Sequence, residues 1–289
     1  NEFGYCGLIG LIILGLYSSI KTFFFLNDTI TNSIVLLIGV ILFFLNKDFF
    51  KKKEKLFFLI LFLLLFPSLL IGKPHDDFEY YHFGYSYYLN SYEQIPGIGN
   101  INHGFRTPSL IFYLNSLFYL PFYGFYSYNI SAFLFLFFVN AIFLKYLFSF
   151  HNSKSNLFKN YYCLISIIFI NIFFYRLGEH GTDKSAQILV LLFILELIFL
   201  INFKKNFKTN ISKIFLILSL IISLKAFYIL YTIFTLIIFV EIFKNYNFKK
   251  NKVFNFLTRN IFFYLLALSF IIVLTLNTFN TGCLLYPLN

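Results

Sequence analysis

The sequence is short of most of what a water-soluble protein is built from. Charged residues make up only 12% of its 289 positions against 59% hydrophobic, and mean hydropathy is +0.78. That much apolar surface cannot be enclosed in a soluble core, so an integral membrane protein is implied. Cysteine is nearly absent. Cys6, Cys163 and Cys283 are odd in number and far apart, which excludes a disulfide framework and a thiolate metal site. There is no P-loop and no dinucleotide fingerprint, which argues against a cytosolic nucleotide as energy source, and the histidines at 75, 82, 103 and 180 lack a zinc spacing such as HExxH. The first apolar run has no basic stretch before it and no small-residue cleavage site after it, so it reads as a span, not a cleaved signal. Tryptophan and methionine are missing altogether, while Phe (46), Tyr (22), Asn and Lys are plentiful. That bias looks like the coding of an AT-rich genome and carries no mechanism. No repeat of fixed period and no linker long enough to separate a soluble domain is found. The chain opens Asn1-Glu2-Phe3 and stops at Tyr286-Pro287-Leu288-Asn289 just after an apolar run, so it reads as a fragment of something longer.

What the sequence does contain is a series of apolar runs, each near the ~20 residues that cross a bilayer core. They fall at about 8–26, 30–46, 56–72, 129–149, 161–176, 186–203, 211–224, 226–243 and 260–276. The fold class expected is all-α: a single polytopic transmembrane bundle of about nine spans over residues 1–289, with an external loop at 73–126. The net charge of +11 raises nucleic acid as a partner, but the basic residues lie in short loops between apolar runs, which is the positive-inside pattern of a membrane protein. Nucleic acid is therefore not expected. Placing the lysines of 47–55, 204–213 and 244–259 in the cytoplasm leaves 73–126 and 178–184 outside, with Asp76, Asp77, Glu79, Glu93, Glu179 and Asp183. Within the outer loop, the stretch 109–126 has four tyrosines, Asn115, Pro121 and Gly124, and is expected to lie in the membrane interface instead of crossing.

Residues 73–126 interrupt the apolar runs with a polar, tyrosine-rich segment that begins KPHDDFEYYHFGYSYYLNSYEQ. Acids where a span leaves the membrane are costly unless something uses or pairs them. Asp76 and Asp77 there, and Asp183 at the head of a later span, suit activation of a hydroxyl, or oxygen ligation of a divalent cation. The competing reading is a solvated loop edge. Lys225, flanked by Ser223-Leu224 and Ala226-Phe227, either snorkels or offers a point charge to a phosphate at the membrane surface. Arg106 could serve the same ligand or pair on the loop surface.

Four stretches resemble the GT-C membrane glycosyltransferases, namely the protein O-mannosyltransferase and lipid A aminoarabinose transferase group and related bacterial proteins of polysaccharide assembly. His75-Asp76-Asp77-Phe78-Glu79-Tyr80-Tyr81 resembles that family's acidic first-loop motif, and Phe105-Arg106-Thr107-Pro108-Ser109-Leu110-Ile111-Phe112-Tyr113-Leu114 its proline-led juxtamembrane helix. Thr182-Asp183 resembles its second acidic position, and Ser223-Leu224-Lys225 its external lysine turn. The resemblance covers roughly 56–289. It departs in having two spans before the acidic loop where better-known members have one, and in ending before any C-terminal domain.

The resemblance implies transfer of a sugar from a polyprenyl-phosphate carrier to a hydroxyl on a glycan or lipid acceptor, with inversion, on the external or periplasmic face of the cytoplasmic (inner) membrane. It assigns the general base to Asp76 with Asp77 close behind, acceptor or metal orientation to Asp183, and the carrier phosphate to Lys225 and Arg106. Tyr80, Tyr81, His103 and His180 would line the substrate pocket. No cofactor is required, and a divalent cation stays open. Two alternatives remain: a polysaccharide polymerase or ligase, which should have a large basic late loop, and a lipid-linked sugar transporter or flippase, which should have ionisable residues at mid-membrane and paired broken helices.

Overall fold

The computed structural model describes residues 3–46, 52–71, 76–150, 157–177, 181–202, 206–284 and 286, and among them there are α-helices, short 3-10 and π turns, and no strand. Two apolar helices open the chain, α1 (Phe3–Lys21) and α2 (Thr29–Leu45), and α3 (Lys52–Leu65) follows, running on into a 3-10 stretch at Phe66–Leu70. Two short helices, α4 (Phe83–Ser91) and α5 (Leu110–Phe118), belong to the polar insertion. Then come α6 (Ile130–Phe150), α7 (Leu157–Phe173), α8 (Gly181–Asn202), α9 (Phe207–Leu224), α10 (Phe234–Asn245), α11 (Lys250–Thr258) and α12 (Ile261–Thr281).

Six stretches are long and apolar enough to cross a membrane: Phe3–Lys21, Gly124–Ser149, Asp183–Ile201, Phe207–Leu224, Phe227–Asn245 and Ile261–Thr281. Each falls at an expected span. The positions of two further expected spans hold the shorter apolar helices Thr29–Leu45 and Leu157–Phe173, and the ninth holds α3 with its 3-10 extension. At 14 residues α3 covers about 21 Å, less than a hydrocarbon core. The first span also starts and ends earlier than its hydropathy implies. Lys21 closes α1, and residues 22–28 reverse the chain, with Asn27 wholly buried and Asp28 capping α2.

Helix α9 is the axis of the bundle. Its apolar residues from Ile214 to Leu224 are buried on all sides, and it packs most extensively against α12 and α8. A helix that is hydrophobic all round belongs in such a place. By contrast the stretch Phe227–Asn245, a 3-10 run continued by α10, keeps only 11% of its length inside the protein, and its Phe227, Leu230, Ile233 and Leu236 are exposed, as suits a segment facing lipid. Where α1 crosses α6, a Cβ on Gly4 would meet the Phe138 carbonyl oxygen at 2.8 Å, so a small residue sets how closely the two approach.

The expected interfacial helix at 109–126 is different in the structure. The α-helix is confined to Leu110–Phe118, and every residue of it is buried, wedged among α1, α4, α6 and α9. The aromatic character that argued for an interface persists only downstream, at exposed Phe122, Tyr123, Phe125 and Tyr126. Tyrosine tolerates the interior here because its hydroxyl is satisfied. Tyr113 donates to Gln94 Oε1 at 3.1 Å and lies 3.0 Å from the Tyr85 hydroxyl, and Gln94 Nε2 donates to Asn280 Oδ1 at 2.7 Å. Asn280 in turn donates to the Tyr85 hydroxyl and to the Phe105 carbonyl, at 2.9 and 3.0 Å. This lock ties the insertion to the end of α12. A second set holds it to the α1–α2 turn: Asn27 Nδ2 donates to Ser18 Oγ and Ser116 Oγ, and Asn90 Nδ2 to the carbonyls of Asn27 and Ser116.

Candidate functional site

Asp76 and Asp77 are not on a loose loop. They open a helix that passes through a π turn at Phe78–His82 into α4, the Phe83 N–H reaching back to the Phe78 carbonyl. The local sequence favours that widened turn. Residues five apart come into register, and Phe78 and Phe83 stack at 6.2 Å, both against Phe125 at 5.2 and 5.6 Å. Phe78 and His82 turn inward and are buried, leaving Asp76, Asp77, Glu79 and Tyr80 exposed. Single π turns occur often at functional sites, because they re-aim the side chains that follow.

Tyr81 is the side chain re-aimed here. Its ring lies 4.3 Å from His82 and 6.2 Å from Phe112, and it is so close to Gly104 that a Cβ there would meet the Tyr81 Cβ at 2.4 Å. Burial, then the charges of Asp77 and Asp183, push the Tyr81 hydroxyl up to about 12. At neutral pH it keeps its proton, under the influence of both carboxylates.

Asp183 stands in the first turn of α8, where the helix dipole favours its charge, and closes an ion pair with Lys225. Lys225 follows the last residue of α9 in an extended conformation and breaks the helix before the 3-10 run Ala226–Ile233. A hydroxyl far away in sequence holds that break: Ser109 Oγ donates to the Leu224 carbonyl at 2.5 Å. Tyr228, one turn on, lies near Asp183 and Gln187. Asp77, Tyr81, Asp183 and Lys225 thus form one cluster from three separate parts of the chain, at the end of the bundle opposite the lysine-rich loops. Asp183 and Lys225 are in contact because the end of α9 meets the head of α8.

Other expected site residues lie apart from this cluster. Arg106 turns its Nε to the Gly99 carbonyl at 2.9 Å and thereby stabilises its own loop. His103 is exposed, Tyr80 is 55% exposed, and Asp76 points to solvent one residue before the carboxylate that faces Tyr81. His180 lies outside the described residues. No three His, Cys, Asp or Glu side chains among the described residues are grouped to hold a metal ion. Gly104 and Ser109, which sequence reasoning did not single out as site residues, position Tyr81 and Lys225.

A second polar cluster, also missed, lies inside the bundle toward its lysine-rich end. Glu196 is fully buried and accepts from the Tyr5 and Tyr146 hydroxyls at 2.5 and 2.7 Å, while Lys213 Nζ donates to the Tyr146 hydroxyl at 3.0 Å and sits 4.5 Å from the centre of the Tyr5 ring. The signal available was an acid within an apolar run and a lysine at a matching depth on the next helix.

A bundle with six helices of spanning length and an ionisable cluster at one end has the build of a polytopic helical membrane protein. Over residues 1–289 the chain matches the family model described as "Domain of unknown function (DUF8201)", and it belongs to that family. Comparison with curated proteins and with solved structures gives no match.

Proposed function

We propose that this protein is a membrane glycosyltransferase of the cytoplasmic membrane that moves a sugar from a polyprenyl-phosphate carrier to a hydroxyl acceptor on the external face. In this reading the chain crosses the membrane nine times, with 73–126 outside. The observation that carries the reading is the grouping of Asp77, Tyr81, Asp183 and Lys225 at one end of the bundle. A lipid-tethered donor reaches that end from the membrane and a polar acceptor reaches it from water. Asp77, exposed and beside Tyr81, is the base that takes the acceptor proton. Tyr81, held protonated, donates a hydrogen bond to the acceptor or the leaving phosphate. Lys225 is partly exposed and paired only across a solvent-accessible contact, so a phosphate can draw it from Asp183 at little cost.

Sugar transfer from a polyprenyl-phosphate donor in reconstituted membranes tests the reading. Asp77→Asn should lower turnover by about two to four powers of ten, the usual worth of a general base. Lys225→Ala should raise KM for the donor more than it lowers kcat. Full transfer by Asp77→Asn would remove the acidic helix from the mechanism.

A lipid-linked sugar transporter is the second reading, and the Glu196 cluster is the observation that favours it, since ionisable residues within spans mark transport paths. Glu196→Gln separates the two. Flipping of the lipid-linked sugar that is lost in Glu196→Gln, with no sugar transfer by the parent protein, supports the transporter, and transfer that Glu196→Gln leaves unchanged supports the enzyme.

A further inference from the structure

At the lysine-rich end of the bundle an open cavity of about 600 Å³ lies between the starts of α9 and α12 and the short helix α11. Its lining draws one cation from each of three places: Lys208 on the first turn of α9, Lys252 on α11, and Arg259 just after it. No carboxylate lines it, and none of the three cations forms an ion pair among the described residues. Three like charges gathered without a counter-ion repel one another, and the arrangement is favourable only if an anion joins them. The floor is aromatic, with Tyr246 and Phe256 at 5.6 Å. One wall is the capped start of α12: Asn260 Oδ1 accepts from the Phe262 N–H, and its Nδ2 donates to Ser212 Oγ at 3.1 Å.

The rim tells a lipid from a soluble ion. Ile261, which lines the cavity, is 74% exposed at the level where α9 and α12, two helices of spanning length, begin. An isoleucine exposed at that level is costly in water and suited to acyl chains.

We propose that this cavity binds the headgroup of an anionic phospholipid. The phosphodiester lies among Lys208, Lys252 and Arg259, and the acyl chains run down past Ile261 along α12. The site is separate from the Asp77–Lys225 cluster, lies at the other end of the bundle, and does not depend on the glycosyltransferase reading.

The test uses the full chain in nanodiscs, with spin-labelled phosphatidylglycerol and phosphatidylcholine as probes and inorganic phosphate as competitor. Phosphatidylglycerol should be retained over phosphatidylcholine. Each of Lys208→Gln, Lys252→Gln and Arg259→Gln should weaken that preference about fivefold, and the triple variant about a hundredfold, at the known worth of a basic residue near an anionic surface. Lys244→Gln, on the same face but outside the cavity, should leave it unchanged. The single variants alter exposed side chains, so they keep the test decisive if the triple variant does not fold. Equal retention of the two lipids, or a preference that survives all three single variants, overturns the proposal. Displacement by inorganic phosphate at concentrations comparable to the lipid's shows a soluble-anion site and overturns it as well.

Discussion

Asp183 serves two neighbours: it closes the ion pair with Lys225, and its charge bears on the Tyr81 hydroxyl. With side chains 46% and 32% exposed, the pair itself contributes no more than about 1 kcal/mol, so its value lies in where it holds the lysine. Tyr81 is set more firmly. Its folded pKa of about 12 lies above the tyrosine value of 10.0, so whatever stability it lends is fully present below pH 10 and is lost as pH rises through 12. Alkaline unfolding of the Tyr81→Phe variant should accordingly lack a component that the parent shows between those limits. Gly104→Ala should displace the ring, since the new methyl would stand 2.4 Å from the Tyr81 Cβ. In the transfer assay it should resemble a loss of Tyr81 while leaving the far end of the bundle, read by lipid binding, unaltered. Asp28 shows the opposite sign. Hydrogen bonds from Thr31 hold its carboxyl below the usual range, and it caps α2, so its contribution is present at neutral pH and is lost as pH falls through that lowered value. Asp28→Ala should cost about 1 kcal/mol at pH 7 and less in acid, by thermal unfolding in detergent.

Helices were legible from the sequence wherever one signal sufficed. Long apolar runs gave the positions of α1, α6, α8, α9 and α12, and a lone lysine inside one run marked the break at Lys225. Legibility failed where two signals competed. The stretch 109–126 carries interfacial residues, yet Leu110–Phe118 is interior, where Tyr113 and Ser116 meet partners contributed from elsewhere in the chain. Ser109 could not be read either: its carbonyl partner is 115 residues away. The cost of losing such a partner is an expected outcome at this scale. Asn280→Ala leaves the Gln94 amide and the Phe105 carbonyl buried without the partner they have now, and should destabilise the protein by about 3 kcal/mol. Thr281→Ala, next to it, removes a hydroxyl that bonds within its own helix turn and should cost far less.

Among the described residues, polar groups concentrate at two ends, and the apolar middle holds the Glu196 cluster and the Asn140–Asn171 amide pair. The proposed orientation is open to labelling in a background without Cys6, Cys163 and Cys283. Phe122→Cys should react from outside and Phe254→Cys from inside, and the reverse pattern would overturn both the orientation and the placement of the acidic helix. The lock that seats that helix also has a bearing on how the protein is made. Tyr85 and Asn280 are 195 residues apart, and at about 5 to 20 residues per second synthesis separates them by roughly 10 to 40 seconds. For that interval Gln94, Tyr85 and the Phe105 carbonyl have no Asn280 to bond, and they must stay hydrated until α12 enters the membrane. The acidic helix is therefore shaped early but fixed late, and insertion of α12 is the step that assembles the site. A nascent chain stopped at Thr258 should leave residues 76–129 open to protease, and extension through Thr281 should close them.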